Sequence, residues 1–129
     1  MIKVGDSSIR KVKFTDAAVR AFAELSGDTN PIHLDEDFAK NSIFKKRIVH
    51  GMLVSGLISA VIANDLPGPG SIYLQQNLNF CAPVYIDEVV EAIVVVKTIR
   101  KDKPIVTLST ICKSDGKIVI EGEAIVKLP

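Results

Sequence analysis

Between His50 and Asn64 the chain places Met52, Leu53, Val54, Leu57, Ile58, Val61 and Ile62 on every side of a helical wheel and carries no Asp, Glu, Lys or Arg. A helix that is apolar all round has to be buried nearly all round. The uncharged stretch Ile48 to Ala63 falls short of the roughly 20 residues that a bilayer requires, and His50, two serines and two glycines interrupt it. It therefore reads as the central helix of a globular core. Gly51, Ser55, Ser59 and Ala63 recur every four residues, a stripe along which another backbone or a ligand can approach closely. Leu66-Pro67-Gly68-Pro69-Gly70 ends the helix, since proline cannot continue it and glycine permits the turn.

The chain beyond Gly70 must wrap that helix. Ile72, Leu74, Gln76, Leu78 and Phe80 alternate with Tyr73, Gln75, Asn77, Asn79 and Cys81, the period of a strand. Further strands are expected near Glu88 to Arg100, Pro104 to Lys113 and Ile118 to Leu128, joined at Asp102-Lys103-Pro104 and by the Asp115-Gly116 hairpin turn. Short turns imply antiparallel pairing, so the expectation is an α+β domain in which a four-strand meander wraps one helix. With 129 residues there is room for one such domain, residues 1–129. A sheet this small leaves open edges, and a homodimer joined edge to edge is expected to close them.

Upstream, Ile9 to Phe14 reads as a first strand. Thr15 can cap a helix ending near Ser26, with Gly27 suited to its left-handed C-terminus. Asp28 to Val49 is polar and turn-rich, with one helical turn expected over Asp35 to Lys40. So long a segment is more than a connector, and it is where chemistry is to be sought.

Composition narrows the chemistry. Lys and Arg number 16 against 15 Asp and Glu, for a net charge of +1, and there is no Trp, with only two Tyr and five Phe. Neither a basic face nor a stacking platform for nucleic acid is present. Met1 to Thr15 lacks the apolar run of a signal peptide. Cys81 and Cys112 read as small reduced core side chains, which suits the cytoplasm. No close His and Cys spacing suggests a metal, no Gly-x-Ser-x-Gly elbow a nucleophilic serine, and no glycine fingerprint a nucleotide.

Four features remain: Ser26-Gly27-Asp28-Thr29-Asn30-Pro31-Ile32-His33, His50-Gly51, Ser59, and Lys45-Lys46-Arg47. Taken singly, each has a plain structural explanation: a helix-ending turn, a satisfied histidine, a hydroxyl bonded back to Ser55, a solvated charge run. Together they compose a site. An acid and an imidazole five residues apart across a rigid Asn-Pro turn can be aimed into one cleft, the acid orienting a water and the imidazole exchanging its proton. Gly51, opening the central helix, can offer a free N–H to a developing oxyanion.

The run Phe22-Ala23-Glu24-Leu25-Ser26-Gly27-Asp28-Thr29-Asn30-Pro31-Ile32-His33, followed by Asp37-Phe38-Ala39, resembles the signature of the MaoC-like hydratase 2 family, the (R)-specific enoyl-CoA hydratases of the hot-dog fold. Ile48-Val49-His50-Gly51-Met52-Leu53, Leu66 to Leu74 and Gly122 to Pro129 are similar to its short bacterial members that supply polyester synthesis, so the resemblance covers nearly the whole chain. It implies a hot-dog sheet around the helix at about 50–64, with an overhanging segment at about 28–48. It also implies reversible syn hydration of a short-chain trans-2-enoyl-CoA, such as crotonyl-CoA, to the (R)-3-hydroxyacyl-CoA. Asp28 and His33 match the catalytic pair, Gly51 the oxyanion amide, and Ser59 the serine near the aspartate. No separate cofactor is implied, since coenzyme A belongs to the substrate. Ile62, Ile125 and Val126 are expected to line the acyl end, and Lys45, Lys46 and Arg47 to meet CoA phosphates. The alternatives are a 3-hydroxyacyl-acyl-carrier-protein dehydratase and a non-catalytic acyl-CoA-binding module.

Overall fold

A computed structural model describes all 129 residues, Met1–Pro129. Strand β1 (Ser7–Lys13) leads into helix α1 (Asp16–Ser26); two short helices, α2 (Pro31–Leu34) and α3 (Glu36–Lys40), precede the central helix α4 (Gly51–Asn64). Strands β2 (Ile72–Gln76), β3 (Asn79–Phe80), β4 (Val89–Ile99), β5 (Ile105–Ser114) and β6 (Lys117–Lys127) complete the chain. The local signals in the sequence explain the boundaries. Thr15 accepts the Ala18 N–H at 3.2 Å to start α1, and Gly27 at φ 80° ends it in the left-handed region that glycine tolerates best.

All six strands form one antiparallel sheet in the order β1-β4-β5-β6-β2, with β3 also paired to β6. This corrects the expected four-strand meander. Only β4, β5 and β6 run consecutively; the strand after the helix crosses to the far side of β6 instead of joining β4. It also breaks in two, because Asn77 lies against Gly122, where a Cβ would come within 2.0 Å of the Asn77 carbonyl oxygen. Asn77 secures the break by donating its N–H to the Glu123 carbonyl and accepting the Glu123 N–H on Oδ1.

Burial alternates along β4 and β5 with period two, presenting Val90, Ala92, Val94, Val96, Val106, Leu108 and Cys112 to the core. Val54, Leu57, Ile58, Val61 and Ile62 of α4 pack into that concave face. Each such side chain contributes about 1.5–3 kcal/mol through its burial.

Helix α4 is not buried all round, however. Met52, Gly56, Ser59 and Ala63 are exposed, and the β2–β3 edge beside it leaves Ile72, Tyr73, Leu74 and Phe80 exposed as well. A single sheet curls around only part of a helix. Cys81 is likewise exposed rather than in the core, whereas Cys112 is buried, and both are free thiols.

Candidate active site

The Asp-Thr-Asn-Pro turn is built from its own side chains. Asp28 Oδ1 accepts the Asn30 N–H at 3.3 Å, and Asn30 Oδ1 accepts the Ile32 N–H at 3.1 Å, capping α2 with Pro31 in its first position. That cap sets His33 three residues further on, pointing inward at 8% exposure, while Asp28 stays exposed. The ring Nδ1 lies 2.8 Å from the Ile48 carbonyl oxygen. A carbonyl can only accept, so Nδ1 carries the proton and Nε2 keeps a free lone pair. Burial is the main force holding the His33 pKa below its ordinary 6.5, and His50 adds to it; the Ile48 carbonyl and Asp28 oppose it. His33 is thus a neutral base at physiological pH.

One histidine that the sequence left unassigned stands at the centre. His50, 1% exposed, donates Nε2–H to the Asp28 backbone carbonyl at 3.0 Å and stacks on His33 with centroids 3.8 Å apart at 28°. Phe22 meets its ring edge-on at 4.8 Å. One side-chain donor or acceptor atom from each of Asp28, His33 and His50 lies within 4.8 Å of the other two. The sequence signal for His50 was its place just before the helix that opens at Gly51, but nothing local tells which residue it faces.

Gly51 is the first residue of α4, where an N–H has no partner within the helix. It lines an apolar cavity of about 350 Å³ together with Phe44, Ile48, Val54, Phe80 and Ile120. That volume and lining suit a small acyl group. A larger open depression of about 810 Å³ adjoins this cavity across Pro83, among Lys11, Glu88, Glu91 and Lys117. It touches none of the acid-base residues and has the charged lining of ordinary surface.

The other candidate residues do not line the apolar cavity. Ile62 and Val126 are fully buried in the core and do not line the cavity, while Ile125 is half-buried on the opposite face of β6 from Val126. The strand period of two forces that separation. Ser59 is exposed, two turns beyond Gly51 and about 12 Å along the helix axis at 1.5 Å per residue. It shares no hydrogen bond with Asp28 or His33. Arg47 is engaged within the chain. At 7% exposure it donates to the His33 backbone carbonyl at 2.7 Å and pairs with Asp16 and Glu36. Lys45 and Lys46 remain exposed, the latter over the Tyr85 ring at 5.9 Å.

Because Arg47 ties the base-bearing turn to α1, Arg47→Met is expected to destabilise the fold by about 2 kcal/mol, with Tm lowered by roughly 5–10 °C. The loss comes from the unpaired His33 carbonyl, as Asp16 and Glu36 are exposed enough to return to water. Thermal unfolding by circular dichroism checks it; an unchanged Tm would contradict the tie.

The comparisons with known proteins identify the family. Residues 5–117 match the MaoC like domain, and the chain belongs to that family. Over 128 residues it is 48% identical to an (R)-specific enoyl-CoA hydratase of Rhodospirillum rubrum, covering 99% of this chain and 89% of that protein. It superposes on the (R)-hydratase from A. caviae involved in PHA biosynthesis with a TM-score of 0.97 and 46% identity, covering 99% of this chain and 98% of the other, which makes the fold a hot-dog. A mitochondrial 3-hydroxyacyl-[acyl-carrier-protein] dehydratase of Arabidopsis thaliana is 38% identical over 133 residues, covering 100% of this chain and 79% of that protein.

Proposed function

We propose that this hydro-lyase adds water to short-chain trans-2-enoyl-CoA thioesters to give (R)-3-hydroxyacyl-CoA, and removes it in reverse. The observation that carries this reading is the gathering of Asp28, His33 and His50 within 4.8 Å of one another, with His33 Nε2 left unprotonated and Gly51 opening α4 directly after His50. Asp28 and His33 hold one water. Its oxygen bonds to C3 as its proton passes to the pair, and the C2=C3 electron pair moves into the thioester as an enolate. The Gly51 N–H and the positive helix end stabilise the enolate oxygen. A proton delivered from the pair to C2 on the same face completes syn addition, so H and OH of one water end on the substrate. The reaction balances without an oxidant, reductant or metal, and coenzyme A enters only as part of the thioester.

Coenzyme A is the carrier assigned, since the hydratase relative is 48% identical and the carrier-protein dehydratase 38%. Loss of the enoyl thioester absorbance with crotonyl-CoA tests the reaction, and crotonyl-acyl carrier protein run in parallel tests the carrier. Faster turnover of the carrier-protein thioester would reverse the assignment. Binding without turnover of either would leave only the non-catalytic module. In the same assay the KM for crotonyl-CoA rises with salt if Lys45 and Lys46 meet its phosphates. They flank Phe44 of the cavity wall, and a salt-independent KM removes them from the site.

A second copy of the chain covers the outer face of α4 and the β2–β3 edge, where apolar side chains otherwise meet water. Light scattering is then expected to give twice the chain mass of 14.0 kDa; a monomer at micromolar concentration contradicts it. No helix is long and apolar enough to cross a membrane.

A further inference from the structure

We infer that His50 is a positioning residue that couples the two members of the acid-base pair, and this rests on the hydratase reading of the same site. One ring makes both connections: its Nε2–H holds the Asp28 backbone carbonyl at 3.0 Å, and its face packs on the His33 ring at 3.8 Å. Asp28 and His33 sit on either side of the Asn-Pro turn, so fixing the carbonyl of one and the plane of the other fixes their separation. The remainder of the His33 surroundings points the same way. Ile48 holds Nδ1 from the chain entering α4, and the Arg47 guanidinium holds the His33 backbone carbonyl, itself balanced by Asp16 and Glu36. None of these reaches Asp28; His50 does. Its own bond to a carbonyl acceptor fixes the Nε2–H tautomer, and its Nδ1 is buried without a partner. A buried polar atom left unpaired is costly and persists only where the rest of the residue is needed. A purely apolar support at this place would carry no such cost.

The ring also bears on the proton affinity of the base. Burial is the main influence lowering that affinity and His50 adds to it, while the Ile48 carbonyl and Asp28 raise it. Removing His50 therefore moves the acid limb of kcat/KM to higher pH.

Two substitutions separate the functions. His50→Phe keeps a stacking ring but loses the donor to Asp28, while His50→Gln keeps an amide donor of matching reach but loses the ring. His50→Phe is expected to lower kcat for crotonyl-CoA by about 10–100-fold with KM changed less than about threefold, the size expected for lost orientation of a reacting group. His50→Gln is expected to recover most of that kcat. Because the chain has only two histidines, the His33 ring can be followed alone by NMR in either variant, and its midpoint is expected above that of the parent protein. If neither kcat nor the His33 midpoint moves in a folded variant, the inference is overturned. If crotonyl-CoA is inert even with the parent protein, the hydratase reading fails, and the His33 titration still decides the coupling.

Discussion

Asp28→Asn and His33→Ala are each expected to cut kcat for crotonyl-CoA hydration by about 10³-fold, within the 10²–10⁴ range of a positioned acid-base group. The two share one water, so their effects should not add: the double variant is expected to fall no further than about threefold below the worse single one. Asp28→Asn is the cleaner probe. An asparagine oxygen still accepts the Asn30 N–H that shapes the turn, so Tm should stay within a few degrees of the parent. His33→Ala removes the donor to the Ile48 carbonyl, which costs about 1–3 kcal/mol and must be separated from catalysis by assaying well below its Tm. Single-turnover loss of the enoyl absorbance checks both. Near-parental turnover by either variant would falsify the assignment of the pair.

That pair was legible in the sequence because its geometry is local. Asp28 to His33 is a self-bonded turn, with Asn30 capping a helix whose first residue is proline, and each of those bonds spans two residues. The caps of α1 were legible for the same reason. Contacts between distant segments were not. His50 reaches Asp28 across 22 positions, and nothing in Val-His-Gly announces it. Of three adjacent basic residues only Arg47 folds inward, drawn by the His33 carbonyl and Asp16, and a charge run does not tell which member has a buried partner. Strand pairing misled in a related way. Alternation identified the residues after α4 as a strand, but it showed neither the pairing with β6 nor the break where Asn77 sits against Gly122. The small-residue stripe of α4 predicted a close approach, while an apolar helical wheel concealed that the chain itself leaves that face uncovered.

The oxyanion role of Gly51 can be isolated by deleting its N–H and little else. Proline is the substitution that does so, and the first position of a helix is where proline is best accepted, because the missing N–H has no helical partner there. The preceding residue also permits it: His50 lies at φ −55° and ψ 126°, in the extended region that a residue before proline prefers. The obstacle is Phe80, whose ring atoms Cδ1 and Cε1 stand 2.7 Å from where a Cβ on residue 51 would be placed. Phe80 is 55% exposed and belongs to the two-residue strand β3, so Phe80→Ala clears the space without opening the core. Against that background, Gly51→Pro is expected to lower kcat for crotonyl-CoA by a further 10²–10³-fold, about 3–4 kcal/mol of lost transition-state stabilisation. KM should change far less, since the ground-state thioester oxygen carries little of the charge that the enolate develops. Phe80→Ala alone should hold kcat within about tenfold of the parent, as it alters the cavity wall and not the donor. If the double variant turns over as fast as Phe80→Ala, the developing charge is stabilised elsewhere, and the start of α4 serves the fold alone.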